Sequence, residues 1–175
     1  KDNKCLIIQI EKLRRRIKED LPVLTDVIKK CLKVEWWPFN ATDILGSRIR
    51  SLILIQQRYI CYKTLAEAKD LPRIQRNFLT SLVNRVYAIQ SIAESKGKNT
   101  SGIDGIQYTA AWRFAEINEL TTAKLSKYKC SLVKRIYIPK ANEKERPLEV
   151  ATLNDRAVKT LFKTVTLPTV EDISD

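Results

Sequence analysis

The chain has 175 residues, of which 44% are hydrophobic, and its 32 lysines and arginines against 20 acidic residues give a net charge of +12 at pH 7. This length allows one domain with a substantial core or two small units. The basic balance indicates an anionic partner, either nucleic acid or an anionic membrane surface. No apolar run approaches the ~20 residues of a membrane-spanning helix and no signal peptide is visible. We therefore expect nucleic acid, and no membrane, as the partner.

Cysteine and histidine usage argues against a metal site in this chain. The four cysteines are far apart, no Cys-x-x-Cys pair occurs, and histidine is absent. Zinc sites are built from clustered cysteines and histidines, and histidine is also the commonest general base. We accordingly expect neither a metal ligand nor a catalytic residue here.

Two compositional details bear on the origin of the chain. Methionine is absent, even at position 1, so we expect a processed product or a part of something longer. Lysine, isoleucine and asparagine are abundant, as in proteins from A/T-rich organelle genomes. This composition favours an organelle, a chloroplast or a mitochondrion, over the bacterial cytoplasm.

The first segment predicts an amphipathic helix over residues 4–20. An apolar stripe with steps of four, three and four residues supports it, formed by Leu6, Ile10, Leu13 and Ile17. Arg14, Arg15 and Arg16 lie among the other positions and face either RNA or a membrane surface, or form a solvated face over a packed stripe. Pro22 fits the first turn of a second helix.

Residues 35–40, with the sequence EWWPFN, break the helical pattern. Their aromatic rings either stack on bases or, as we expect, anchor a loop to the core. Thr42 or Asp43 is predicted to cap a helix that runs to about Lys69, and the cleanest helical periodicity covers 72–95. These helices are expected to form the core.

A glycine-rich loop follows at residues 96–105 and holds three of the four glycines. Such a loop brings backbone amides close to a ligand, although its spacing is not that of a nucleotide-binding phosphate loop. Asp104 and Gly105 are expected to form a turn. Two short helices are predicted at 109–120 and 121–127.

Residues 133–156, with the sequence VKRIYIPKANEKERPLEVATLNDR, predict a β-hairpin and a capped helix start. A β-rich run ends at Pro139, a polar turn covers 140–144, and 146–150 form the return strand. Residues 152–155 supply helix caps. The five cations between 134 and 146 either converge on the phosphates of a polyanion or prevent a solvated edge strand from pairing with another chain.

This segment resembles the fingers region of reverse transcriptases encoded by group II introns, the intron-encoded maturases. The matching positions are Arg135, Tyr137, Ile138, Pro139, Lys140, Asn142, Lys144, Arg146, Pro147, Leu148, Thr152, Asp155 and Arg156. The loop GKNTSGIDG at 97–105 resembles a second family motif that ends in Gly-Ile/Val-Asp-Gly. The resemblance covers about 37–175, which leaves 1–36 as an N-terminal helical extension.

The resemblance implies a mostly helical α+β fold in which a helical N-terminal part precedes a fingers-like segment with a basic hairpin. Lys140 and Arg146 align with cations that hold the triphosphate of an incoming nucleotide. Loop 97–105 aligns with a loop that packs over the template. The positions that this alignment or the local charge assigns to RNA binding are Arg14, Arg15, Arg16, Lys98, Asn99, Gly102, Lys134, Arg135, Lys144 and Arg156.

Three residues depart from the family pattern. Glu143 and Glu149 replace glycines, and Ala151 replaces a proline. Glu149 places an anion near the proposed phosphate site, where it opposes nucleotide binding or pairs with Arg146 or Lys144. The chain also lacks the Asp-Asp pair of the family's palm, which holds Mg²⁺ for in-line displacement. The resemblance therefore implies Mg²⁺ only together with a palm that lies elsewhere.

The sequence thus predicts the RNA-binding fingers portion of a group II intron reverse transcriptase or maturase that supports intron splicing. Its partners would be intron RNA or template RNA and a chain or segment carrying palm and thumb. The alternative is a degenerate maturase fragment that serves as a structural subunit of a larger organellar ribonucleoprotein.

Overall fold

The computed structural model describes residues 2–139 and 145–170. In these residues the protein is mostly helical with one two-stranded antiparallel sheet, which confirms the α+β class. A short 3₁₀-helix follows the last α-helix. The elements in chain order are α1 (Asp2–Lys33), α2 (Ile44–Leu65), α3 (Leu71–Leu79), α4 (Leu82–Glu94), α5 (Ala110–Glu119), α6 (Thr122–Leu125), β1 (Lys134–Pro139), β2 (Glu145–Val150) and α7 (Leu153–Thr166).

Helix α1 is one continuous helix through Pro22, so the predicted start of a second helix there was wrong. Proline removes one helical amide donor and crowds the preceding turn. The buried side chains before and after Pro22 nevertheless form one stripe, which packs against α2 and α4. Burial of that stripe outweighs the local cost of the proline. Its members are Ile10, Leu13, Ile17, Leu24, Ile28 and Cys31.

Two other predicted helix bounds also differ from the structure. The helix expected over 72–95 is divided into α3 and α4, because Ser81 has extended backbone and its Oγ accepts a hydrogen bond from the amide of Asn84 at 3.3 Å. This contact caps α4. Helix α2 ends at Leu65 rather than near Lys69, and Glu67, with φ of 48°, turns the chain away.

A single hydrophobic core extends from α1 to α7. Helices α2, α4 and α7 pack against one another at its centre. The predicted division between 1–36 and 37–175 stays a prediction, and α1 contributes buried side chains to this same core. None of the described helices has the length and apolar character that a bilayer span requires.

The aromatic loop before α2 is an anchor, as predicted. Trp37 and Phe39 are buried, and their rings meet edge to face with centroids 5.1 Å apart. The guanidinium of Arg113 lies over the Trp37 ring at 5.0 Å. Gly46 of α2 allows this loop to approach, since a Cβ atom there would lie 1.9 Å from the carbonyl oxygen of Asn40.

We expect Gly46→Ala to destabilise the protein by about 1–3 kcal/mol, because the added methyl group overlaps loop backbone. At an unobstructed helical position the same change would stabilise by roughly 0.5–1 kcal/mol. Urea denaturation measures the difference. Ser47→Ala, at the exposed neighbouring position, is the control. A stabilised Gly46→Ala variant would contradict the close approach of loop and helix.

Candidate nucleic-acid interface

The predicted hairpin is present. Strands β1 and β2 pair antiparallel, with Lys134 opposite Val150 and Arg135 opposite Glu149. The strands pair with each other and make only sparse contacts with the helices in the described part of the chain. Lys140 and Lys144 belong to the turn, which lies outside the described residues.

The hairpin has two faces of different charge, because side chains alternate along a strand. The first, which we call the cationic face, carries two cations and no carboxylate in the described strands: Lys134, Ile136, Ile138, Arg146, Leu148 and Val150. The second, which we call the mixed face, carries one cation and two carboxylates: Arg135, Tyr137, Pro139, Glu145, Pro147 and Glu149. The cations of the hairpin therefore do not all converge on one surface.

Glu149 pairs with Arg135 and not with Arg146, one of the two partners that the sequence suggested; the other, Lys144, lies outside the described residues. Its carboxylate accepts a hydrogen bond from the Arg135 guanidinium at 2.7 Å, and this bond raises the pKa of Arg135. The two residues lie directly opposite each other in the register, whereas Arg146 is on the other face. Alternation along β1 places Arg135 on the face opposite Lys134, so these two positions assigned to RNA binding do not share a surface. Arg135 thus neutralises Glu149, the carboxylate expected to oppose nucleotide binding, on the mixed face.

The first turn of α7 is built around Asp155. The Thr152 hydroxyl accepts from the Asp155 amide at 3.1 Å, which caps the helix, and donates to the Asp155 carboxylate at 2.8 Å. The carboxylate also accepts from the Tyr128 hydroxyl at 2.5 Å and the Ser131 amide at 3.2 Å. Burial would raise the pKa of Asp155, but these hydrogen bonds together lower it below its usual value. Asp155 thereby fixes the segment that enters the hairpin.

Arg156 joins the two sequence motifs in space. Its Nε–H donates to the Ala151 carbonyl at 2.9 Å, while Nη1 and Nη2 donate to the carbonyls of Gly97 and Thr100 at 2.8 Å and 2.7 Å. The side chain that was predicted to bind RNA therefore holds loop 97–105 against the base of the hairpin. Its planar fork suits several fixed acceptors at once.

The glycine loop approaches the protein's own backbone. A Cβ atom on Gly102 would lie 2.7 Å from Cα of Thr152, so only glycine fits this contact. Gly105 has φ of +71°, and the Asp104 carboxylate accepts from the Ile106 amide at 3.1 Å, which forms the predicted turn. Two of the loop glycines thus serve packing and turn geometry.

Loop and hairpin together enclose a recess on the cationic face. A cavity of about 300 Å³ is lined by Asn99, Thr100 and Ser101 from the loop and by Lys134, Ile136 and Val150 from the hairpin. Lys98, Asn99 and Arg146 are exposed beside these elements. A second cavity of about 600 Å³ lies on the hairpin base, and Val133, Leu148 and Lys159 are among its lining residues. The recess combines amide and hydroxyl groups with a lysine, which suits a phosphate backbone.

The cations of α1 belong to another surface. Arg14, Arg15 and Arg16 are exposed on a helix that packs against α2 and α4, and none of them lines either hairpin cavity. Among the described residues, no three potential metal-ligating side chains come together. The exposed Lys134 and Arg146 of the cationic face can bind phosphate oxygens.

Sequence reasoning missed three residues that support this surface, two through their side chains and Ser131 through its main-chain amide. Tyr128 and Ser131 bind Asp155, and the Trp112 indole N–H donates to the Asn154 side chain at 3.1 Å. The capping pattern of Thr152 and Asp155 was visible in the sequence. Partners from distant elements carry no local signal and required the fold.

No known protein-family profile matches the chain. Over 92 residues the chain is 41% identical to Protein YkfC of Escherichia coli strain K12. The match covers 50% of this chain and 24% of YkfC, so the chain spans only about a quarter of that relative.

We expect Arg156→Lys to release loop 97–105 although it preserves the positive charge. A lysine cannot satisfy three separate carbonyl groups with one fork, and the loss of charged hydrogen bonds costs about 2 kcal/mol. Amide hydrogen exchange of the loop measures the release. Lys163→Arg, at an exposed position on the same helix, is the control and should leave exchange unchanged. If the loop amides of Arg156→Lys were as well protected from exchange as those of the unaltered protein, the hydrogen bonds from Arg156 would not be what holds the loop.

We expect Asp155→Asn to destabilise the protein by about 2 kcal/mol at pH 7, where the carboxylate accepts charge-assisted hydrogen bonds. The folded-state pKa of Asp155 is lowered, so its stabilising effect is present above the unfolded value of about 3.9 and is lost as the pH falls through the folded value. The difference from the unaltered protein should therefore shrink at acidic pH. Denaturation with urea at several pH values measures it.

Asp104→Asn is the matched control for that experiment. Asp104 is exposed and accepts one backbone hydrogen bond, so its change should alter the stability by less than about 0.5 kcal/mol. A difference between Asp155→Asn and the unaltered protein that stays constant down to pH 3 would argue against an ionised Asp155.

Proposed function

We propose that this chain is the RNA-binding fingers portion of a group II intron reverse transcriptase or maturase. One observation carries the proposal: the two segments that resemble that family meet in space. Arg156 binds the carbonyls of Gly97 and Thr100, and Gly102 lies against Thr152. The loop and the hairpin therefore form one surface, as joint contact with a nucleic acid requires.

The cationic face is the proposed contact with RNA. Lys134 and Arg146 lie on that face without a carboxylate beside them in the described strands, and Glu149 is held on the opposite face by Arg135. Lysine offers a point charge and arginine a planar fork to phosphate oxygens. Loop residues Asn99 and Ser101 add polar groups to the recess. Such contacts bind a backbone without reading its sequence.

Nucleotide binding follows as part of the same proposal. By resemblance, Arg146 and Lys140 hold the triphosphate of an incoming nucleotide, and Arg146 lies on the cationic face. The in-line displacement on that nucleotide would take place at a palm that holds Mg²⁺. The chain itself is proposed to bind intron RNA or template and to support splicing, in an organelle.

A second candidate is a structural subunit of a larger ribonucleoprotein. Exposed apolar side chains in the hairpin and in the segment just before it favour a protein partner: Leu132, Val133, Tyr137 and Leu148. In this case the chain would co-purify with other proteins, and substitution of its hairpin cations would not impair its role.

The test is the salt dependence of binding to single-stranded RNA. We expect Lys134→Ala/Arg146→Ala to weaken binding and to reduce the slope of log affinity against log salt by about 1.4, since two phosphate contacts are lost. Fluorescence anisotropy between 50 and 300 mM salt measures both quantities. Arg73→Ala/Arg76→Ala removes the same charge from exposed positions of α3 and should alter the slope little.

Equal effects of the two double variants would contradict a specific role of the cationic face. The second candidate predicts that outcome, together with co-purification of other proteins that depends on Leu132 and Leu148. Lys140→Ala/Arg146→Ala examines the nucleotide: loss of nucleoside triphosphate binding to a primer–template complex supports the fingers role. Retention of that binding would remove nucleotide handling from the proposal.

A further inference from the structure

Another cavity, of about 460 Å³, lies where the end of α1, the first turn of α4 and helix α5 meet. We call it the α1–α4–α5 cleft, and its lining includes three cations: Lys29, Lys33 and Arg85. Among the described residues, it shares no lining residue with the two cavities beside the hairpin. The proposed hairpin interface makes no use of it.

Arg85 is a half-buried cation without a counter-charge. Its Nη1 donates to the Ile117 carbonyl at 2.8 Å, which ties the guanidinium to α5. The other N–H groups of this guanidinium have no acceptor in the described part of the chain, and Nε is buried. Burial lowers the pKa of Arg85, and no carboxylate of the described residues offsets that effect. Because a charge withdrawn from water is costly unless it is paired, Arg85 favours an anion in the cleft.

Lys29 and Lys33 provide the outer cations of the cleft. They are one helical turn apart on α1, so they lie on the same side of the helix, and both are exposed. Neither forms an ion pair in the part of the chain that the structure describes. Their ammonium groups are therefore available to an anion that also reaches Arg85.

The end of α1 suggests another role for these lysines, since cations near a helix C-terminus offset its partial negative charge. The Cys31 carbonyl, however, already accepts hydrogen bonds from the amides of Val34 and Trp36, at 3.2 Å and 3.0 Å. The Leu32 carbonyl accepts one from the Glu35 amide at 3.1 Å. The lysine side chains are therefore not needed to satisfy these carbonyls.

The balance of charge in the cleft favours phosphate. Glu35 is the one carboxylate among the described lining residues, and it is exposed and forms no ion pair with the cations. The lining therefore has an excess of two positive charges. A terminal phosphate carries close to two negative charges, and successive phosphates of a backbone carry one each, whereas a single carboxylate carries one. Leu82 and Phe114 add apolar walls, which strengthen the attraction by excluding water.

We propose that the α1–α4–α5 cleft binds phosphate. The Arg85 guanidinium donates to the phosphate oxygens from the inner wall, and the ammonium groups of Lys29 and Lys33 bind them from the rim. The phosphate comes either from the backbone of an RNA strand or from a small free phosphate such as pyrophosphate. In the first case the inference rests on the proposed function and adds a second RNA contact, and in the second it is independent of that function.

NMR titration of isotope-labelled protein tests the site with two probes, sodium pyrophosphate and a single-stranded RNA oligonucleotide. The Nε–H signal of Arg85 and the methyl signals of Leu82 and Ile117, all from the cleft lining, should shift in a saturable manner. The probe that binds more tightly identifies the source of the phosphate. Sodium chloride at the same ionic strength should not produce these shifts.

Three outcomes of this titration would overturn the inference. The first is the absence of shifts with both probes, and the second is equal shifts with sodium chloride. The third is binding of polyglutamate at least as tightly as either phosphate probe, which would assign the cleft to an acidic protein.

Two charge-matched double variants locate the site. Lys29→Ala/Lys33→Ala should raise the dissociation constant of the tighter probe about tenfold, because charge-assisted hydrogen bonds are lost. Lys12→Ala/Arg16→Ala removes the same charge, at the same spacing, from exposed positions of α1 outside the cleft, and should change that constant less than about twofold. Equal effects would mean that only the net charge matters and would overturn the site.

Substitution of Arg85 tests the inner cation. Arg85→Lys keeps the charge but lacks the planar fork, so it should bind the tighter probe less well than the unaltered protein, and Arg85→Gln should bind it least. Unchanged binding by Arg85→Gln would overturn the role of Arg85. Should either variant fail to fold, the exposed lysine pair still decides whether the cleft binds phosphate.

The results separate this inference from the proposed function. If RNA binding depends on Lys134 and Arg146 while the cleft signals respond to neither probe, the inference fails and the proposed function is retained. If pyrophosphate shifts the cleft signals while RNA binding does not depend on Lys134 and Arg146, the proposed interface fails and the phosphate site is supported.

Discussion

The first turn of α7 is the constraint on which the candidate interface depends. Three adjacent side chains each hold a different part of the chain: Asn154 binds Trp112, Asp155 binds Tyr128 and the Ser131 amide, and Arg156 binds loop 97–105. The two hydrogen bonds between the Thr152 hydroxyl and Asp155 fix the turn that carries these side chains. The helix itself is rigid because it packs into the core against α4. The first turn of α7 therefore positions loop 97–105, the segment of Tyr128 and Ser131, and the hairpin.

The alternation of side chains decides what the hairpin can present. In the order of the sequence, cations and carboxylates alternate closely enough that their charges would be expected to neutralise one another. Two-residue periodicity sorts Lys134 and Arg146 to one face and the Arg135–Glu149 pair to the other. Such an exposed pair contributes little to stability. Its effect is to neutralise the Glu149 carboxylate on the mixed face.

Much of the fold could be predicted from local chemistry, and the failures have physical causes. The hairpin, the Thr152 cap and the Asp104–Gly105 turn follow from residue preferences that act over a few positions. Pro22 misled the prediction because a buried stripe along α1 overrides a local breaker. The helix over 72–95 was predicted whole because the Ser81 cap was overlooked. Local preference decides an element only where tertiary packing does not oppose it.

The candidate site was less predictable than the fold. The resemblance to the maturase fingers assigned Arg156 and Gly102 to RNA binding. In the structure Arg156 binds main-chain carbonyls and Gly102 lies against Thr152, across long separations in the chain. A sequence cannot distinguish an arginine that binds a ligand from one that binds its own backbone. The two roles differ only in what the fold places within reach.

The sparse contact between the hairpin and the helices has a thermodynamic consequence. A two-stranded hairpin is at best marginally stable alone, so the strands form a cooperative unit that opens at a lower free energy than the helical core. A ligand that requires both strands in register binds only the closed fraction, and its apparent affinity is scaled by that fraction. Substitutions that favour closure would therefore tighten binding without touching the ligand. For such a ligand, the population of the closed hairpin would set the apparent affinity together with the charge of the cationic face.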